Sequence, residues 1–138
     1  MTGDLLLDTG ALVSLLDRNQ RDHQACARFF ESWEGSVLSS EAVLTEATHL
    51  LGGIPGGRRS CLDFFLAGGA LLVPTTPASL RRARELIEQY ASLPMDYADA
   101  MLVVLAEEIE TDLVFTTDRR DFSVYRIRGR RRFRIVPA

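Results

Sequence analysis

The tripeptide Leu5-Leu6-Leu7, followed at once by Asp8, Thr9 and Gly10, constrains the fold of this chain more than any other stretch. Three leucines bounded by a polar turn are too short for a helix of their own. They predict a strand covered on both faces, as in the parallel sheet of an α/β domain. Asp8 then stands at a strand's carboxyl end, the edge where open α/β sheets bind ligands. A purely structural role competes with this, because an aspartate after a strand commonly caps the next helix. Other acids converging on the same edge would decide between the two.

The rest of the chain alternates in the same way. Ala11, Leu12, Leu15 and Leu16 give a helical stripe. A second amphipathic segment runs from near Asp22 to Gly35, with Ala25, Cys26, Phe29, Phe30 and Trp33 on one face. Ser36–Ser39 reads as a strand, and Ser40 as the cap of a helix from Glu41 to about Leu51. Gly52–Gly57 looks like a phosphate loop only superficially, since no Lys-Ser/Thr follows and no strand leads in; it reads as a helix terminator. A helix over 58–67, a strand over 70–73 and an amphipathic helix with Leu80, Ala83, Leu86, Ile87 and Tyr90 inward come next. Asp96 opens a helix over 97–110, a strand occupies 113–116, and after a basic loop an edge strand closes the chain at 133–136. This alternation predicts one α/β domain over residues 1–138, a three-layer α/β/α sandwich with a central, mostly parallel sheet.

No apolar run approaches the ~20 residues of a membrane span, and the N-terminus lacks the layout of a signal peptide, so a cytoplasmic protein without a membrane partner is expected. Cys26 and Cys61 sit in separate apolar patterns without metal-ligand spacing, which suits buried thiols. The basic residues are all Arg. Eight of them, against two aspartates, lie in residues 118–138, a local +6, and the remaining eight face seventeen acids, −9. Such asymmetry points to a polyanionic partner, to pairing with the protein's own acids, or to a solvated loop.

Four acids stand out by placement. Asp8 and Asp118 follow apolar strands, Asp99 lies in the first turns of a helix leading into the second of those strands, and Glu46 falls on or near the sheet-facing stripe of the helix over 41–51. In a parallel sheet all strand carboxyl ends share one edge, so Asp8, Asp99 and Asp118 can meet. Glu46 either joins them or occupies a solvated border, and Glu41 suits the helix dipole. Carboxylates gathered without lysines favour a divalent cation, and an all-oxygen set suits Mg²⁺ or Mn²⁺ over zinc; His23 and His49 lie beside none of these acids, His23 toward solvent. Such an ion can activate a water for attack on phosphorus. Thr9, Thr116 and Thr117 could orient a carboxylate or water, or serve as ordinary strand and cap residues.

These motifs, Leu7-Asp8-Thr9-Gly10-Ala11-Leu12, Leu44-Thr45-Glu46, Pro94-Met95-Asp96-Tyr97-Ala98-Asp99-Ala100 and Phe115-Thr116-Thr117-Asp118-Arg119-Arg120-Asp121-Phe122, resemble in order and spacing those of the PIN-domain nucleases, in particular the VapC-type toxins of bacterial toxin–antitoxin pairs. The resemblance implies a PIN-like α/β/α fold and a Mg²⁺- or Mn²⁺-dependent endoribonuclease. It further implies Asp8, Glu46, Asp99 and Asp118 as the catalytic quartet, with Asp8, Asp99 and Asp118 on the metal and Glu46 holding the metal or orienting the attacking water. Asp96 and Asp121 match acids found in only some members, and Gly10 stands where many have Ser. An RNA substrate, a cognate VapB-like antitoxin and a homodimer are implied as partners. Two other readings use the same edge: a phosphatase with Asp8 as nucleophile, and a non-catalytic module binding RNA through Arg126, Arg128, Arg130, Arg131, Arg132 and Arg134.

Overall fold

A computed structural model of the chain describes residues 3–138. The first half runs β1 (Asp4–Leu7), α1 (Thr9–Leu16), α2 (His23–Ser32), β2 (Ser36–Ser39), α3 (Glu41–Leu50), a 3₁₀ turn over Leu51–Gly53, and α4 (Gly57–Leu66). The second half runs β3 (Leu71–Leu72), α5 (Pro77–Gln89), α6 (Tyr97–Ile109), β4 (Leu113–Phe115), α7 (Arg119–Val124), β5 (Arg126–Ile127), β6 (Arg131–Arg132) and β7 (Arg134–Val136). Five strands form the central sheet in the order β3-β2-β1-β4-β7, and every pairing in it is parallel. Helices flank it in the expected three-layer α/β/α arrangement. Among the described residues no helix is long and apolar enough to cross a membrane.

β1 is the middle strand, and Leu5, Leu6 and Leu7 are wholly buried, as strands covered on both faces must be. Phe29 and Phe30 of α2 pack their rings on Phe115 of β4, with centroids 5.1 and 6.3 Å apart. The helix starts follow side-chain chemistry: Ser40 Oγ accepts the Val43 N–H at the head of α3, and Thr76 and Ser79 form a reciprocal capping box at α5. α6 is more enclosed than its apolar stripe implies. Ala98 and every residue from Ala100 to Glu107 are buried, because the helix lies between sheet, α5 and β5.

The departures lie where the code is short-range. Residues 119–124, given neither helix nor strand from the sequence, form α7, started by the Asp118 carboxylate accepting the Asp121 N–H and anchored by fully buried Phe122. The basic loop folds as an antiparallel hairpin, β5–β6, whose turn places Arg128 and Gly129 at φ 53° and 72°, a left-handed pair suited to a tight hairpin. On α5, Leu80 and Ile87 are exposed where an inward face was expected. The buried stripe there is Ser79, Ala83 and Leu86, which leaves Arg82 against α6. Ala25 is likewise exposed on α2, where Cys26 alone is fully inward.

Arg82 meets Glu107, a buried acid of α6. Its carboxylate accepts from Arg82 Nε at 2.8 Å and Nη2 at 3.0 Å and from the Arg128 N–H at 2.9 Å, so one side chain joins α5, α6 and the hairpin. Removing it strands three donors. Glu107→Ala is expected to lower unfolding stability by about 2–3 kcal/mol, read from the urea midpoint at unchanged m-value. A loss indistinguishable from that of an exposed α6 acid such as Glu108 would contradict this role.

Candidate active site

Register brings the acids together. β1 and β4 run parallel with Leu7 beside Phe115, and the Asp8 N–H donates to the Phe115 carbonyl at 3.0 Å. Asp8 and the Thr116–Asp118 segment therefore leave the sheet side by side at its carboxyl edge. Asp8 occupies the position preceding α1 but makes no capping hydrogen bond. Its Oδ2 instead accepts from the Thr116 hydroxyl at 2.6 Å, and Thr116 Oγ1 in turn accepts the Asp118 N–H at 2.9 Å. One hydroxyl thus ties two of the acids, and the capping role for the Asp8 side chain falls away.

α6 starts at the same edge. Asp96 is its cap, accepting the Asp99 N–H at 2.8 Å, and Asp99 Oδ2 accepts from the Tyr125 hydroxyl at 2.8 Å. Tyr125 is itself fully buried, with Tyr90 and Phe122 edge-on to its ring at 5.3 and 5.2 Å. One carboxylate oxygen from each of Asp99, Asp118 and Asp121 lies within 4.8 Å of the others. Asp121, only an occasional match on sequence grounds, is thus part of the cluster. Asp8 adjoins it and is coupled to Asp99 and Asp118 by charge.

The electrostatics are those of crowded acids without counterions. Burial pushes the Asp8 carboxyl up to about 6; hydrogen bonds from Thr116 and the Thr9 backbone oppose this, and the charges of Asp118 and Glu46 add to it. Asp99 is pushed up to about 8 by burial and the charge of Asp8, against the hydrogen bond from Tyr125. Asp121 is raised by burial and by Asp118, and the Tyr125 hydroxyl by burial and its bond to Asp99. Among the described residues no arginine forms an ion pair with Asp8, Asp99, Asp118 or Asp121. An all-carboxylate donor set of this kind fits a hard divalent cation of the Mg²⁺ or Mn²⁺ type. The Thr9 hydroxyl, buried next to Asp8 in the chain and without a hydrogen-bond partner, is a further oxygen available there.

Of the two positions the sequence leaves open to it, Glu46 takes the solvated border. It is exposed, because the inward stripe of α3 is Val43 and Ala47 and the 100° step puts residue 46 on the rim. Its charge still reaches Asp8, and it lines a groove with Glu41, His49, Asp96 and Tyr97. His23 is half-buried, its Nδ1 2.7 Å from the Ser14 carbonyl, instead of facing solvent. A Cβ at Gly10 would overlap Thr117 Oγ1, so the Thr117 hydroxyl fills the space a residue-10 side chain would take. Part of the arginine tail lies toward the opposite end of the sheet: Arg131 and Arg134 pair with Asp112, which precedes β4, and Arg128 donates its N–H to the Glu107 carboxylate and its Nη2 to the Glu107 carbonyl, whereas Arg126 directly follows Tyr125, the partner of Asp99. Tyr125 escapes sequence reasoning, for nothing in an isolated Val-Tyr-Arg signals a contact with Asp99. The Asp-x-x-Asp spacing of residues 118 and 121 does carry a capping signal.

A family model described as PIN domain matches residues 5–127. Ribonuclease VapC26 of Mycobacterium tuberculosis is 31% identical over 135 residues, covering 96% of this chain and all of the relative. Among solved structures, VapC20 of M. tuberculosis, described as a toxin that cleaves the sarcin–ricin loop, superposes with a TM-score of 0.78 at 17% identity, over 84% of this chain and 91% of that one. VapBC2 of Rickettsia felis, solved with a DNA fragment from its promoter, gives 0.58 at 16% identity, over 87% and 91%.

A folded-state pKa above the unfolded value means the native state binds the extra proton, so the stability contribution is present at low pH and lost as pH rises through the folded pKa. For metal-free protein, Asp8→Asn, which can still accept from Thr116, is expected to raise unfolding stability by on the order of 2 kcal/mol at pH 8. At pH 4 the gain should vanish. Urea unfolding in EDTA at both values checks this, and equal effects at the two would contradict it.

Proposed function

The chain belongs to the PIN-domain family, and within it to the VapC ribonucleases, and on that premise we propose that it is a divalent-metal-dependent endoribonuclease, the toxin of a toxin–antitoxin pair, acting as one PIN-like unit over residues 1–138. The observation carrying this reading is the convergence of Asp8, Asp99 and Asp118 at one sheet edge without a balancing cation. Asp8, Asp99 and Asp118 hold the ion, Mg²⁺ or Mn²⁺, with Asp121 as an accessory oxygen and Glu46 at the rim orienting the attacking water. Once bound, the ion supplies Lewis acidity, activating a water and neutralising charge on the phosphodiester. The protein's own part is orientation. Thr116 fixes the Asp8 carboxylate and Tyr125 occupies one oxygen of Asp99, leaving the other free to face the ion. A VapB-like antitoxin, a homodimer and a cytoplasmic location belong to the same proposal.

A phosphatase using Asp8 as nucleophile fits less well, because that carboxylate is buried, tied to Thr116 and pushed toward its protonated form. The non-catalytic RNA module loses part of its support, because Arg131 and Arg134 share the Asp112 carboxylate and the Arg128 guanidinium is bonded to the Glu107 backbone carbonyl.

Asp8→Asn combined with Asp99→Asn is expected to reduce Mn²⁺-dependent RNA cleavage by at least about a hundredfold with an unchanged circular-dichroism spectrum, and EDTA to stop cleavage by the wild type. Undiminished cleavage by the double variant would remove this site from the chemistry. Tyr125→Phe keeps the ring packing and deletes one donor. It is expected to weaken Mn²⁺ binding about tenfold in a calorimetric titration, and wild-type affinity would show that Tyr125 only fills space.

A further inference from the structure

Acids that hold a cation also repel RNA, so the phosphate chain needs positive charge close by to reach them. Two grooves border the carboxylate edge. One, of about 560 Å³, is lined by Glu41, Glu46 and Asp96 and is hostile to phosphate. The other, of about 370 Å³, is lined by Arg21, Asp22, Thr116, Thr117 and Arg119, with Ala25, Cys26 and the Pro137–Ala138 end completing it. Its inner wall is the threonine pair whose first hydroxyl holds Asp8.

The two arginines of this cleft are differently employed. Arg21 is exposed and, among the described residues, makes no side-chain hydrogen bond or ion pair. Arg119 gives one Nη1 bond to the Pro137 carbonyl at 2.6 Å, which steadies the guanidinium and leaves its other N–H groups for a ligand. Asp22 is the one acidic side chain lining the cleft, against the two arginines. Of the tail arginines, Arg131 and Arg134 are paired with Asp112 at the far end of the sheet, and the Arg126 and Arg128 guanidinium groups are bonded to backbone carbonyls.

We propose that the cleft between α2 and the ends of β4 and β7 is the track by which the RNA backbone enters the site, with Arg21 and Arg119 contacting phosphates next to the scissile one. The proposal rests on the ribonuclease reading for its substrate and adds a direction of approach: the strand runs over Thr116–Thr117 and away from the Glu41–Glu46–Asp96 groove. It names two specificity-neutral contacts, because guanidinium–phosphate bonds position RNA without reading its bases.

The test is binding of a fluorescently labelled, random-sequence single-stranded RNA pool in EDTA, followed by anisotropy across a KCl series. Each phosphate that is no longer neutralised should reduce the slope of log K against log salt by about 0.7, so Arg21→Gln with Arg119→Gln should flatten it by about 1.4. Arg130→Gln with Arg132→Gln, at the opposite end, should leave the slope unchanged. Because Arg119→Gln also frees Pro137, Arg21→Gln alone keeps the test interpretable, with an expected change of about 0.7. An unchanged slope in the Arg21 variants, or equal flattening by the tail pair, overturns the proposal. Wild-type protein is assayed in parallel with Mn²⁺ on total cellular RNA. Intact RNA there, with the slope change present, overturns the nuclease reading and supports the cleft; cleavage with an unchanged slope overturns the cleft and supports the nuclease.

Discussion

The parallel pairing of β1 with β4 is the constraint on which the site depends. Leu7 lies beside Phe115 and the Asp8 amide is bonded to the Phe115 carbonyl, so both strands end at the same height. A slip of one residue would break the Asp8 amide bond to Phe115 and move Asp8 away from Thr116. The strand pairing, in the register seen, therefore sets the spacing of the carboxylates. The fold does not carry a site grafted onto loops; the site is the end of its central strand pair.

Buried acids in this chain fall into two kinds, and their chemistry separates them. Glu107 is buried, yet Arg82 and the Arg128 N–H together draw its carboxyl below the usual range despite the opposing effect of burial. It behaves as a structural cross-link. Asp8 and Asp99 are also withdrawn from solvent, but receive only hydroxyl and amide donors and sit among like charges, so theirs rise to about 6 and about 8. An ionised group held that way stores unfavourable energy in the folded protein, which a bound cation would release. Direction of shift, more than burial, marks which acids are kept for chemistry and which for stability.

Much of this is legible from the chain alone, and the illegible part has a common cause. β1, the caps at Ser40 and Asp96, the strand before Asp118 and the convergence of Asp8, Asp99 and Asp118 follow from apolar periodicity and from the shared edge of a parallel sheet. Periodicity leaves Glu46 between an inward and a border position, and the structure resolves it to the border because Val43 and Ala47 are the fully inward residues of α3. The roles of Tyr125 and Glu107 are invisible in sequence, since each acts on a partner more than twenty residues away. α7 and the β5–β6 hairpin are hidden by their brevity: six residues and two-residue strands carry too little periodicity to register.

The arginine-rich tail shows how misleading net charge can be before geometry is known. Arg134 extends its Nε to Asp112 at 2.7 Å while its own N–H donates to the Asp112 carbonyl at 2.8 Å, and Arg131 reaches the second carboxylate oxygen at 2.9 Å. Asp112 opens β4, so these contacts pin the edge strand β7 to its neighbour at the amino end of the sheet. From there β7 rises to the carboxyl edge and delivers the Pro137 carbonyl to Arg119. Charge that looks like a polyanion footprint in the sequence thus closes the sheet first. Its bearing on the acidic edge is indirect, through the single arginine it steadies there.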